Sequence, residues 1–358
     1  LGLAKIRDGD LAGGRLEIEI AASLDPGHSL VRSYLGKAYY EERRDRLAGD
    51  QLGLAKQLDP NDPTPWFYDA IRKQSDNRPV EALHDVQQSI ARNDNRAVYR
   101  SRLALDQDAA DRGASQARIY KDIGFQQLAV QEAAVALAAD PANAPAHRFL
   151  AELYAGMRRH EIGRASEALQ ARMFQPLTLS PLPPETTETN LLAFQGAGHT
   201  SMGFNEYTPL FVRDGHVVGL TAGAGSNSTA LDEVVVAGLQ ERIAYSFGQY
   251  HYETDGFRPN NDLRHDIYNA FVQYAATPDV DLQLELRSRE QRNGDLRLRF
   301  DPLKFSPASR EERDEESLRL GYRQIISPSS TLVTSLTTRR FDSRVTDTLP
   351  SGRALATE

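Results

Sequence analysis

Apolar and polar residues alternate along the second half of the chain, whereas apolar residues in the first half recur at helical spacing. The alternation is strict over residues 280–287, which is typical of a strand whose two faces meet different environments. Leu282, Leu284 and Leu286 are therefore expected on one face, and Gln283, Glu285 and Arg287 on the other. Similar patterns predict strands at 233–240, 243–252, 265–275, 318–323 and 331–341, with shorter candidates at 210–212 and 217–222. Asn293-Gly294 predicts a hairpin whose return strand is 296–300.

The first half of the chain repeats at an offset of 34 residues. Leu24-Asp25-Pro26 recurs as Leu58-Asp59-Pro60. Leu35-Gly36 falls in one predicted helix of the intervening unit and Ala48 in the next, where a small side chain lets two helices pack closely. The period and these positions resemble tetratricopeptide repeats. This resemblance implies an α-solenoid over residues 1–172 that offers a concave groove to a protein partner.

The register of the repeat yields further expectations. Ala48, Ala82 and Ala129 should be buried between paired helices. Residues 99–116 break the period, because Pro141 follows Asp94 by 47 residues (141 − 94) rather than 34, so an insertion or a longer helix is expected there. Leu1-Gly2 aligns with Leu35-Gly36, so we expect the chain to begin inside a repeat, as a fragment without earlier repeats or an export signal.

A proline-rich stretch is expected to separate the two halves. Pro176, Pro181, Pro183 and Pro184 exclude a helix there and favour extended chain. The predicted organisation is α plus β in separate domains: repeats at 1–172, a linker at 173–189 and an antiparallel sheet at 190–358.

The alternating strands leave two folds open. In an outer-membrane β-barrel the apolar face meets lipid and the charged face lines the lumen, whereas in a β-sandwich the apolar face is the protein core. Strands of about 9–11 residues and long polar connections favour the barrel. In that case Leu284 and Leu320 point outward, and Glu285, Arg297 and Arg319 point inward.

Three segments resemble parts of Gram-negative proteins that join tetratricopeptide repeats to an outer-membrane barrel similar to TonB-dependent receptors. They are GFNEY at 203–207, GQYHYETDGF at 248–257 and DLRLRFDP at 295–302. The resemblance implies the bacterial outer membrane as location, with its lipid as a partner and the repeats in the periplasm. It implies no substrate. Such barrels finish on a strand with a terminal aromatic residue, whereas this chain ends Leu355-Ala356-Thr357-Glu358, so the barrel is expected to be incomplete in this chain.

Composition removes several classes of function. The 358 residues include no cysteine, which excludes disulfides, thiolate metal sites and a cysteine nucleophile. A net charge of −8 without a basic tract argues against nucleic acid as a partner. The glycine-rich stretch 223–228 lacks the Gly-Lys-Ser/Thr of a phosphate loop, and we identify no other catalytic motif. We therefore expect a non-enzymatic protein without a cofactor.

Two sets of polar side chains are candidates for binding. The first could hold a divalent ion or simply form a hydrogen-bonded polar hairpin: His251, Glu253, Asp255, Asp262 and His265. The second could line a pore, bind an anionic polymer or form a solvated sheet face: Glu285, Arg287, Arg289, Arg297, Arg299, Arg319 and Arg323.

Two functions remain open at this point. The favoured interpretation is an outer-membrane protein whose repeats bind a protein partner and whose barrel anchors or conducts, for export of a polymer. The alternative is a soluble repeat adaptor fused to a β-sandwich binding module.

Overall fold

The computed structural model describes residues 1–155, 157, 160–177, 211–297, 301, 303–348 and 354–357. Helices occupy the described part of the first half, with a 3-10 helix at Asn93–Val98 between the sixth and seventh. Their bounds are α1 Gly2–Arg7, α2 Leu11–Leu24, α3 Ser29–Glu41, α4 Asp45–Leu58, α5 Pro63–Ser75, α6 Pro79–Ala91, α7 Arg102–Asp122, α8 Gln126–Ala139, α9 Ala144–Ala155 and α10 Glu161–Phe174. None of these described helices is both long and apolar enough to cross a membrane.

The helix starts reproduce the 34-residue period of the sequence. The first helices α3 and α5 begin at Ser29 and Pro63, and the second helices α4 and α6 begin at Asp45 and Pro79, so both offsets are 34 (63 − 29 and 79 − 45). The break in the period is a 21-residue helix, α7, preceded by the 3-10 helix. The helical repeat array is therefore confirmed, together with the expected longer helix.

Small side chains bring the paired helices close together. Ala48, Ala82 and Ala129 are fully buried, as the register predicts. A Cβ atom added at Gly36 of α3 would lie 2.6 Å from Cγ of Leu52 on α4, a distance that packed atoms do not adopt. Position 36, the glycine of the Leu35-Gly36 pair, therefore has no room for a side chain.

Enlarging a buried alanine is expected to destabilise the array. Ala48→Leu should lower the free energy of unfolding by about 1–3 kcal/mol, because the added atoms have no space between α3 and α4. Ala21→Leu is the matched control, since Ala21 is exposed on α2 and its enlargement should stay within about 0.5 kcal/mol. Chemical unfolding followed by circular dichroism measures both, and equal effects would contradict the assigned packing.

The carboxyl group of Asp111 on α7 is expected to make stability fall as pH rises. Burial raises its pKa to about 7, although Nδ2 of Asn143 donates to its Oδ1 at 2.8 Å and favours the charged form. The folded chain therefore keeps this proton from about pH 4 to about pH 7, where the unfolded chain has lost it, and the free energy of unfolding falls across that window. Asp111→Asn should flatten this part of the profile in thermal unfolding at about pH 5 and about pH 8, and an unchanged slope would contradict it.

The described strands form one antiparallel sheet in sequence order, β1 to β8. Their bounds are β1 Gly215–Gly225, β2 Thr229–Gln240, β3 Ile243–Thr254, β4 Leu263–Thr277, β5 Val280–Asn293, β6 Arg310–Ser327, β7 Ser330–Thr348 and β8 Ala354–Thr357. Among these strands β1 neighbours β2 and β8 neighbours β7, so the sheet is open as described. The antiparallel sheet is confirmed, but the predicted closure into a barrel is not present in the described residues.

The predicted return strand at 296–300 is wrong for its described part, residues 296–297, and the rest lies outside the described residues. Strand β5 pairs instead with β6, and residues 295–297 lie in a connection. Asp295 fixes this connection, because its backbone N–H donates to the carbonyl of Asn260 at 2.6 Å and its carboxylate accepts from the N–H groups of Arg297 and Ser306. Asn293-Gly294 therefore ends a strand without starting a two-residue hairpin.

The short strand predicted at 210–212 is also wrong for its described part. Phe211 lies in a helical turn rather than a strand, and residues 211–214 belong to the compact unit of the helices, whereas β1 belongs to the other unit. Most of the predicted linker at 173–189 lies outside the described residues. Its described beginning includes Phe174, which ends α10, and Gln175, which is buried.

Candidate functional site

The register of the sheet gathers apolar side chains from several strands on one face. Leu284 on β5 lies between Val272 of β4 and Leu320 of β6, and Val236 of β2 lies beside Phe247 of β3. We call the following side chains the apolar face: Val218, Leu220, Val234, Val236, Phe247, Tyr268, Val272, Tyr274, Leu282, Leu284, Leu286, Leu318 and Leu320.

The apolar face is exposed. Leu284 is 39% and Leu320 47% exposed, values that are high for leucines in the middle of a sheet. A shallow trough of about 760 Å³ crosses the strands on this face and is lined by Val234, Phe247 and Leu286, among others. The large side chains therefore meet the surroundings rather than a protein core in the described structure.

The opposite face is buried although it carries charge. Glu285 and Arg319 are each 5% exposed. Nε of Arg319 donates to Oε2 of Glu285 at 2.8 Å, and its Nη1 donates to Oε1 of Gln283 at 3.1 Å. Nδ2 of Asn269 donates to the other oxygen of Glu285 at 3.3 Å. We call the following side chains the polar face: Glu233, His265, Asn269, Gln273, Asp281, Gln283, Glu285, Arg287, Arg289, Arg319 and Arg323.

On β5 and β6 this arrangement reverses the polarity of a water-soluble sheet, because leucines are exposed and charged side chains are buried. On β2 to β4 the same buried face also carries apolar side chains, among them Leu231, Tyr250 and Ile267. The predicted sharing of one face by Leu282, Leu284 and Leu286 is confirmed. Leu284 and Leu320 lie on the exposed face and Glu285 and Arg319 on the buried face, while their placement outside and inside a closed barrel stays a prediction. A solvated arginine face, the alternative interpretation, is wrong for Arg319, which is buried. A β-sandwich would require the leucines in a core, but the described strands all belong to one sheet and its leucines are exposed.

The arginines predicted to act together are only partly assembled. Arg323 contacts Asp281 through Nε at 2.8 Å, and Nε of Arg289 donates to Nε2 of His265 at 3.0 Å. Arg287 lies between them on β5 and is partly buried. Arg297, expected to point inward, is exposed on the connection after β5, because no strand forms there. Arg299 lies outside the described residues.

The candidate metal ligands are separated by the register. Tyr252 pairs with His265 and His251 pairs with Asp266, so the two histidines point to opposite faces of the sheet. Nδ1 of His251 contacts Oδ1 of Asp266 at 2.6 Å, while Oε2 of Glu253 lies 3.6 Å from its Nε2. Asp262 contacts Arg310, and Asp255 stands at the start of the β3–β4 connection. In the described part of the chain, no group of three or more such side chains could hold a metal ion.

A second surface of interest lies on the helical array. Residues 211–214 cross α5, α3 and α1, which are first helices of successive repeats. Phe211 packs against Tyr68 of α5, Arg213 binds Glu41 of α3, and the N–H of Asp214 donates to the carbonyl of Arg7 at the end of α1. The sequence signals only a weak strand here, so neither Phe211 nor Arg213 could be identified from the local pattern.

Comparisons with known proteins add little to this geometry. Neither a protein-family model nor a curated protein sequence matches the chain. Among solved structures, MamA is 20% identical over 46% of this chain and 85% of its own, with a TM-score of 0.34. A chain of the APC/C hetero-tetramer Cut9-Hcn1 is 17% identical over 52% of this chain and 33% of its own, with a TM-score of 0.41. YrrB, a TPR protein with an unusual peptide-binding site, is 16% identical over 47% and 79%, with a TM-score of 0.34.

Proposed function

We propose that this chain is a non-enzymatic protein of the bacterial outer membrane. Its sheet is set in the bilayer with the apolar face toward lipid, and its helical repeats stand in the periplasm and bind a protein partner. The observation that carries the proposal is the reversed polarity of β5 and β6: exposed Leu284 and Leu320 on one face, buried Glu285 and Arg319 on the other.

The energetics of the two faces support a lipid environment. Each large side chain of the apolar face, left in water, forfeits part of the roughly 1.5–3 kcal/mol that full burial provides. Contact with acyl chains recovers this free energy across several strands at once. The arginines would cost about 2–4 kcal/mol each on a lipid face near the bilayer midplane, and they are on the opposite face, paired with Glu285 and Asp281.

The polar face supports a role in anchoring or conduction. A membrane sheet that encloses water presents polar side chains to its lumen. Arg287 and Arg289 are only partly buried, and guanidinium groups bind carboxylates and phosphates through paired hydrogen bonds. An anionic polymer moving along this face during export would meet them. In lipid, however, unpaired strand edges are costly, so the proposal requires strands that pair with β1 and β8 in addition to those described.

Fractionation of producing cells tests the membrane placement. The full chain is expected in the Sarkosyl-resistant envelope fraction, and its gel mobility should change when the sample is boiled, because a closed membrane sheet resists detergent until heated. Recovery in the soluble fraction without detergent would overturn the proposal.

One observation favours a second function. The open edges of the described sheet suit a soluble adaptor, in which the repeats hold one protein and the sheet binds another. In that case the apolar face is an interface with protein rather than with lipid. The adaptor should then appear in the soluble fraction as part of a larger complex, with gel mobility that boiling does not change.

A further inference from the structure

The segment at 211–214 contacts the first helices of three successive repeats. Arg7 and Glu41 are 34 residues apart (41 − 7), so the segment meets the same place in two repeats, and Tyr68 lies on the first helix of the third. A segment that crosses first helices in this way follows the direction in which the array stacks.

An aromatic side chain anchors the segment. Phe211 is only 4% exposed, with its ring centroid 6.0 Å from that of Tyr68 in an edge-to-face arrangement at 84°. Nζ of Lys37 lies 5.4 Å from the same centroid, within the range of a cation–π contact. Both Tyr68 and Lys37 are themselves buried, so the pocket is lined by fixed side chains.

The carboxylate of Glu41 binds the guanidinium group of Arg213, two residues after Phe211. Oε1 of Glu41 binds Nζ of Lys37, and Oε2 accepts from Nη1 of Arg213 at 2.7 Å. Burial alone would raise the pKa of Glu41, but the positive charge of Lys37 and the hydrogen bond from Arg213 outweigh it and hold the pKa below its usual range. Glu41 therefore stays charged, with one oxygen assigned to its own helix and the other to the segment.

The backbone contributes a contact that does not depend on sequence. The N–H of Asp214 donates to the carbonyl oxygen of Arg7 at 3.2 Å. That carbonyl is among the last of α1, where helices leave carbonyl groups without a partner in the helix. The three contacts together recognise an aromatic residue, a basic residue two positions later and a following main-chain N–H.

We propose that the surface of α1, α3 and α5 is a binding site for peptide segments with the pattern aromatic–x–basic. The chain's own 211–214 is its resident occupant, and a protein partner with the same pattern displaces it. This rests on the partner-binding role proposed for the repeats and is independent of the membrane placement. Because the segment is tethered, it competes for the site at an effective concentration on the order of millimolar. A weakly binding ligand therefore cannot displace it, whereas a partner that carries the same pattern and binds more tightly can.

Peptide binding to the full chain in detergent tests the inference. The probe is a fluorescent peptide with the sequence TPLFVRDGH of residues 208–216. It should bind the double variant Phe211→Ala/Arg213→Ser, whose own segment no longer competes, at least about tenfold more tightly than it binds the unmodified chain. Phe211→Leu/Arg213→Ser, which keeps an apolar anchor of similar length, provides the same test if the first variant does not fold.

Exchanging the two charges of the Arg213–Glu41 ion pair distinguishes specific recognition from nonspecific binding. A peptide with glutamate in place of the arginine should lose binding at least about tenfold to the emptied chain and regain it when that chain also carries Glu41→Arg. A folded, emptied chain that binds the peptide no better than the unmodified chain, or that ignores the exchange, would overturn the inference. If the peptide test fails while the chain stays in the Sarkosyl-resistant fraction, only the peptide site is contradicted. If the chain is soluble without detergent and still binds the peptide, only the membrane placement is contradicted.

Discussion

Leu284→Arg is expected to block assembly of the sheet in a membrane while leaving the helical array folded. Leu284 lies in the middle of the apolar face between Val272 and Leu320. Near the bilayer midplane an arginine costs about 2–4 kcal/mol, which is a large part of the stability of a typical domain. In water, the same change at a position that is 39% exposed should stay within about 0.5 kcal/mol.

The matched control for this variant is Ser288→Arg. Ser288 is exposed on the same strand and the same face, between Tyr268 and Glu316, where the apolar side chains give way to polar ones. The heat-modifiable fraction should fall strongly for Leu284→Arg and little for Ser288→Arg. Equal behaviour of the two variants, with both in the membrane fraction, would show that the apolar face does not meet lipid.

Arg319→Met is expected to destabilise the sheet by about 3–5 kcal/mol, because it removes the cation that contacts the buried carboxylate of Glu285. Both partners are almost fully buried, and Gln283 loses the hydrogen bond from Nη1 of Arg319 as well. Replacing both members, Glu285→Met with Arg319→Met, should recover most of the loss, since a buried ion pair is often neutral relative to apolar residues.

An exposed pair on the neighbouring strand is the control. Nε of Arg340 lies 3.1 Å from Oδ2 of Asp342, with side chains 77% and 64% exposed. Arg340→Met should cost less than about 1 kcal/mol. Urea titration in detergent, followed by the intrinsic fluorescence of the chain, compares the variants. A loss for Arg319→Met as small as that for Arg340→Met would mean that the polar face is hydrated rather than buried.

Local sequence signals predict much of this fold because each has a local physical cause. The 34-residue offset follows from a helix pair that packs through Ala48 and Gly36, and alternation along β5 follows from the pleat of a strand. The contacts of the polar face need pairing partners far apart in sequence, such as Glu285 and Arg319, and the register alone decides them.

The errors have equally specific reasons. Asn293-Gly294 is a hairpin signal, but the buried Asp295 makes a long loop more favourable, because it bonds to Asn260 of the β3–β4 connection and to Ser306 within the loop itself. His251 and His265 form one candidate cluster in the sequence. The β3–β4 register pairs His251 with Asp266 and Tyr252 with His265, so the two histidines lie on opposite faces of the sheet. Phe211 belongs to no periodic pattern, because its partners Tyr68 and Lys37 come from another part of the chain.

The depth of Leu284 in a bilayer tests the central claim most directly. The chain contains no cysteine, so Leu284→Cys and Leu320→Cys each accept a single fluorescent label, and Arg292→Cys gives an exposed reference on the same strand as Leu284. In proteoliposomes, lipids with a quencher on the acyl chain should quench the labels at 284 and 320 strongly and the label at 292 weakly. The account would be contradicted if the labels at 284 and 320 were not quenched by these lipids and were quenched by an aqueous quencher as strongly as the label at 292.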